Sequence, residues 1–129
     1  MFKPSIDAYV ERTIDLPEVV ERHIDPHAAV EFIFKNAPRI AQAKAERTYL
    51  EEFRKSKKAL LMSAHNEKPI GAQEREAYAH PEYIELLQGL RVAVEAEELL
   101  KWQMVAAQTR VEVWRSQEAS NRAQDRATT

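Results

Sequence analysis

Residues whose types and spacing could do chemistry are concentrated between Lys44 and His65, "KAERTYLEEFRKSKKALLMSAH", and the chemistry they suit is the holding of anions. From Arg39 to Lys58 seven bases stand against three acids, a local charge of +4 in a chain whose net charge is −2. Taken as a helix centred on Leu50, this stretch gathers Ala43, Phe53, Leu60, Leu61 and Ala64 within about 80° of Leu50 as an apolar face, with Tyr49 at its edge. Lys44, Arg47, Arg54, Lys55 and Lys58 then form a cationic stripe beside that face, interrupted by Glu51, while Lys57 projects nearer the apolar side. The stripe runs for roughly 21 Å, enough to follow several phosphates of a single strand. Tyr49 is placed to stack a base, or to close the edge of the core. No base-reading motif accompanies the cations, so binding through them would follow the backbone with little sequence preference.

Other combinations carry less. His23 and His27 are four apart, but Asp25-Pro26 between them breaks the helical spacing a two-histidine metal site needs. Glu95, Glu97 and Glu98 lack a histidine or aspartate at metal spacing and are expected on a solvated face. His65 and His80 flank a connector and a proline. With no glycine-rich phosphate loop and no glycine-flanked serine, the chain is expected to be no enzyme and to need no cofactor or metal.

The elements that must position the cations are helices. Only two glycines, Gly71 and Gly89, occur among 129 residues rich in Ala, Glu, Arg, Lys, Gln and Leu, the strong helix formers. An all-α fold follows: a kinked helical arm and a long C-terminal helix forming a hairpin. Asp25-Pro26 reads as an N-cap with proline in the first turn, Pro38 predicts a kink or short break, and the arm ends near Ala64. "HNEKPIG" is a connector, "AQEREAYA" a short helix, and His80-Pro81 a boundary, because a residue before proline avoids the α region. The last helix is expected from about Pro81 to Asn121, some 40 residues or about 60 Å.

Three segments result: an acidic, partly ordered stretch over 1–24, a helical DNA-binding and oligomerisation domain over 25–122, and a frayed tail over 123–129. Seven acids against two bases lie between Ser5 and Glu31. The absence of cysteine, of an apolar run long enough for a bilayer and of a basic-then-apolar leader leads us to expect a soluble, cytoplasmic protein without membrane contact.

The long helix has two apolar stripes. Leu100, Met104, Ala107, Val111 and Trp114 share one side, while Leu99, Trp102, Ala106 and Val113 lie nearly opposite. One helix with two faces to bury suggests an intramolecular partner for one and another subunit for the other. The oligomerisation candidates are therefore Leu99, Leu100, Trp102, Met104, Val111, Val113 and Trp114.

The order of these features resembles the phage recombination mediator family typified by UvsY. The likeness is carried by "AQAKAERTYLEEFRKSKKALLMSAH", the polar connector, "AYAHPEYIELLQGL" and "AVEAEELLKWQMVAAQTRVEVWRSQEASNR", and spans roughly residues 28–122. It implies a helical protomer in a ring or bundle, with a heptamer among the candidate sizes. It also implies binding of single-stranded DNA and help in loading a RecA-like recombinase onto strands covered by single-strand binding protein, in recombination, repair and replication. Arg47, Arg54, Lys55, Lys57 and Lys58 are the DNA contacts it implies. The competing reading is a helical assembly or adaptor protein whose cations serve solubility; a third is an inhibitor whose acidic N-terminal stretch imitates nucleic acid.

Overall fold

The computed structural model describes residues 23–128. Three helices follow one another: α1 Pro26–Ser63, α2 Ile70–Ala79 and α3 Pro81–Thr128. Among the described residues there is no strand, and the fold is all-α. The acidic segment expected over 1–24 falls, except for its last two residues, outside the described range.

Each boundary has a local cause. Asp25 accepts hydrogen bonds on Oδ1 from the backbone N–H groups of His27 and Ala28, at 3.0 and 3.2 Å, and Pro26 supplies a preset φ. A cap of this kind contributes about 1 kcal/mol. Pro38 does not end α1, which runs on to Ser63. Pro38 is exposed on the outer side of the helix, so the carbonyl that lacks a partner because proline has no N–H can turn to water. After α1 the chain turns through Ala64–Pro69, with the Lys68 N–H donating to the His65 carbonyl at 3.0 Å. His80 is extended at ψ 134°, as the residue before a proline should be. Its Nδ1 accepts from the Glu82 N–H at 3.1 Å and so caps the next helix.

α3 lies antiparallel along α1. Its covered positions are Tyr83, Leu86, Leu90, Ala93, Glu97, Leu100, Met104, Ala107, Val111, Trp114 and Glu118; every other described residue of the helix is exposed. These steps alternate three and four without a break, which is the seven-residue repeat of a coiled-coil seam. On α1 the matching row is Asn36, Ile40, Ala43, Arg47, Leu50, Arg54, Lys57 and Leu61. Asn36 is buried at 7% exposure; its Nδ2 donates to the Phe32 carbonyl at 2.8 Å and its Oδ1 accepts from Arg39 at 3.2 Å. Both bonds stay within α1, so the buried amide is satisfied without a partner on α3.

Short α2 packs beside the C-terminal half of α1, widening its covered face to Lys58 and Met62. The first turns of α1 share a hollow with Gln103, Ala106, Ala107 and Arg110 of α3. Beyond Arg110, α3 therefore continues past the first turns of α1 as far as Thr128, with Val111, Trp114 and Glu118 still partly covered. The helix thus continues beyond the Asn121 end read from the sequence, through most of the tail. No helix among the described residues is long and apolar enough to cross a membrane.

Gly89 is an exposed mid-helix position where an added Cβ would meet nothing within 4 Å. Gly89→Ala is expected to stabilise the fold by about 1 kcal/mol, visible as a higher urea midpoint with an unchanged m-value.

Candidate nucleic-acid interface

The six cations picked out from the sequence as DNA contacts all lie on α1, and they have different surroundings. The buried face of α1 is turned toward the cations relative to the sequence-based wheel. Leu60 and Tyr49 are 63% and 61% exposed, Ala64 is exposed, and Arg47, Arg54 and Lys57 occupy the row that faces α3. Long aliphatic stems let these side chains cover the seam while their charged ends reach its rim.

Glutamates of α2 and α3 meet several of those ends. Arg47 is bonded to Glu97 across the seam and to Glu51 at 3.0 Å on its own helix. Lys57 meets Glu82 at 2.6 Å and Lys58 meets Glu74 at 2.7 Å. Lys55 is exposed and has a loose contact with Glu52 at 3.3 Å. Lys44 is exposed and adds to the positive field that lowers the Glu97 pKa. Arg54 makes no hydrogen bond or ion pair with any described residue.

The electrostatics follow from these pairs. The hydrogen bond from Arg47 holds the Glu97 carboxyl below its ordinary 4.5, the bond from Lys57 does the same for Glu82, and the bond from Lys68 does so for Glu76. Bonding to Glu97 raises Arg47, and bonding to Glu74, then Tyr78, raises Lys58. Three carboxyls depressed in the folded chain add stability above their unfolded value, and that stability is lost as pH falls through the folded values. The thermal midpoint should therefore be nearly flat from pH 7 to about 5 and drop below about 4. In Glu97→Gln the neutral-pH midpoint should be lower and the acid drop shallower, as thermal circular dichroism at pH 7 and pH 3 will read.

At the connector end, α1 contributes Arg54, Lys55 and Lys58, α2 contributes Tyr78 and α3 contributes Tyr83 to one open hollow of about 520 Å³. Tyr83 is 7% exposed and Tyr78 46%; their rings meet edge to face with centroids 5.4 Å apart. The Lys58 ammonium lies over the Tyr78 ring, 4.6 Å from its centre. Cations around an accessible aromatic ring suit a phosphate and the base next to it, the first by charge and the second by stacking. Neither tyrosine was singled out by sequence reasoning; the "YAHPEY" spacing across a helix boundary was the available signal. Tyr49, the stacking candidate read from the sequence, instead stacks on Phe53 at 5.7 Å on the outer surface of α1.

The weaker candidates stay apart. Among the described residues no group of three or more His, Asp or Glu could hold a metal ion. Glu97 belongs to Arg47, while Glu98 accepts from the Trp102 indole N–H at 3.1 Å. The oligomerisation candidates divide: Leu100, Met104, Val111 and Trp114 lie in the seam row, whereas Leu99, Trp102 and Val113 face outward at 59%, 63% and 42% exposure. Comparison of the chain with protein-family models, with curated proteins and with solved structures finds no match.

Proposed function

We propose that this protein binds single-stranded DNA without catalysing a reaction and acts as a recombination mediator. In this role it presents the strand to a RecA-like recombinase while competing with single-strand binding protein. The reading is carried by one observation: Arg54, without a partner among the described residues, stands with Lys55 and Lys58 around the half-exposed Tyr78. Arg54 and Lys55 take phosphates, Tyr78 takes a base, and Lys44 extends the path about 15 Å along α1. Each contact is weak and salt-sensitive. Repetition in a homo-oligomer, through the outward Leu99, Trp102 and Val113 of α3, raises the avidity of the set by ~10²-fold or more. Competition for the strand then needs no ATP.

A second reading, a helical assembly or adaptor protein without nucleic-acid contact, is favoured by the outward apolar stripe and by the glutamates that already meet Arg47, Lys57 and Lys58. Fluorescence anisotropy of a labelled single-stranded oligonucleotide at low and high salt, with duplex as control, separates the two. Single-strand binding that falls steeply with salt is expected. A folded protein that leaves the oligonucleotide free at low salt would sink the mediator reading and favour the adaptor.

A further inference from the structure

Two helices of this chain open on the same plan, a capping residue followed by proline, but the caps differ in chemistry. Asp25 precedes Pro26 and accepts from the N–H groups of His27 and Ala28. His80 precedes Pro81 and accepts on Nδ1 from the Glu82 N–H, at 3.1 Å. A carboxylate keeps its acceptor throughout the neutral range. An imidazole does not: a backbone N–H can only donate, so this bond needs the Nδ1 lone pair, and a ring that takes up a proton has donors on both nitrogens. Histidine stands outside the Ser, Thr, Asp and Asn set that caps helices best, and it is the side chain that ordinarily changes charge between pH 5 and 8.

The corner that this cap holds carries the tyrosine hollow. In "YAHPEY" Tyr78 is two residues before His80 and Tyr83 three after it. The His80 carbonyl also accepts from the N–H groups of Tyr83 and Ile84, at 3.0 and 3.1 Å. Together with Nδ1, one residue thus holds three of the N–H groups that a helix start leaves open. α2 is only ten residues long, too short to keep its helix without tertiary contacts, and the corner, the Tyr78–Tyr83 ring contact and the Lys58–Glu74 pair tie it down. The charged groups around the corner come from all three helices. Glu82 of α3 feels the His80 ring, Lys57 of α1 meets Glu82 at 2.6 Å, and Glu76 of α2 is bonded to Lys68 and lies 3.2 Å from His65. A proton on His80 is drawn by Glu82 and opposed by the positive end of α3, and in either case it takes the cap away.

We propose that His80 is a proton-operated cap on the tyrosine hollow. Neutral, it closes the start of α3 and holds Tyr78 against Tyr83; protonated, it lets go of the Glu82 N–H and loosens the α2–α3 corner. The proton enters and leaves at Nδ1, while Nε2 keeps its own. Loss of a cap raises the opening of a helix end by about five-fold. Because the tyrosines flank the cap, their rings part more often in acid and the hollow loses its shape. A strand held at Tyr78 is then held less firmly; this consequence alone rests on the reading of the hollow as a strand site. His65 works the other way, since its contact with Glu76 on α2 tightens when the ring is charged.

His80→Asn tests the cap, because asparagine caps a helix without titrating and the variant keeps His65. Nuclear magnetic resonance of the full chain between pH 8 and 5 should show His80 Nδ1 bare and Nε2 protonated at pH 8, with the Glu82 amide proton moving upfield as the ring takes up its proton. In His80→Asn that amide should stay in place. The cross-peak between the Tyr78 and Tyr83 rings should weaken in acid in wild type and hold in the variant. A Glu82 amide that ignores the His80 titration, or moves alike in both proteins, overturns the cap. Ring cross-peaks that respond equally to acid in the two proteins overturn its hold on the hollow. Anisotropy of a labelled single strand at pH 7.5 and 5.5 reads the consequence: several-fold weaker binding in acid for wild type, and a smaller loss for the variant. If neither protein binds a strand at either pH, the strand-site reading falls, and the resonance measurements still decide the cap.

Discussion

Replacing Arg54, Lys55 and Lys58 together by alanine should weaken single-strand binding by ~10²-fold at low salt and leave the mass of the oligomer unchanged. The loss has two sources. Two phosphate-holding cations, Arg54 and Lys55, leave the hollow, so the slope of log affinity against log salt should fall by about 1.4, from roughly 0.7 per phosphate contact. Removal of Lys58 also uncovers Glu74, which it holds at 2.7 Å, and a bare carboxylate beside the path repels phosphate. The converse variant, Glu74→Gln, frees Lys58 and should tighten binding several-fold with the same oligomer. Salt titrations of wild type and both variants by anisotropy will read the effect. Unchanged affinity and slope in the triple variant would make these cations a solvated face.

The largest effect on stability is expected at Tyr83. It is the bulkiest of the buried residues, stands in the α3 seam row, and carries the edge-to-face contact with Tyr78 of α2. It thereby joins three helices at one point. Tyr83→Ala should cost about 3 kcal/mol or more, in the range of large aromatic truncations, and lower the thermal midpoint by roughly 10 °C. Tyr83→Phe keeps the ring and should stay within about 1 kcal/mol of wild type, since no described residue hydrogen-bonds its hydroxyl. Equal losses in the two variants, followed by thermal circular dichroism, would move the role from the ring to the hydroxyl.

Much of the fold was legible because helix ends are written locally. Asp25-Pro26, the connector and His80-Pro81 each dictate backbone geometry within a few residues; the first and last boundaries lie where they place them, while α2 starts at Ile70, two residues inside the connector read from the sequence. Pro38 was less decisive than it looked. It removes one hydrogen bond on an outer face, and packing along the rest of α1 carries the helix past it. The seam itself was harder to see, because Ala93, Glu97 and Ala107 fill steps where a coiled-coil pattern would show large apolar side chains.

The candidate site was legible only in part. Its cations were visible as a row, but a wheel centred on Leu50 gives weight to Leu60 and Ala64, which are exposed, and misses that α3 brings glutamates to the other side. Arg47 and Glu97 are 50 residues apart, and nothing local in either stretch names the other. Glu97 therefore read as a solvated carboxylate. Tyr78 and Tyr83 come from two different helices, and the hollow exists only once α2 has packed on α1.

The unbroken alternation of threes and fours along α3 works as a ruler. The tyrosine hollow stands at the connector end, and the outward Leu99 and Trp102 stand toward the other. The distance between them is counted in units of seven residues, or about 10.5 Å each. Lengthening both arms by one such unit would carry the tyrosine hollow outward and keep every side chain on its present side. Adding a single residue to one arm would instead turn everything beyond it by about 100°, pointing the hollow and the outer faces in unrelated directions. The spacing that holds the hairpin together thus also fixes the direction in which the hollow opens relative to the outward stripe of α3.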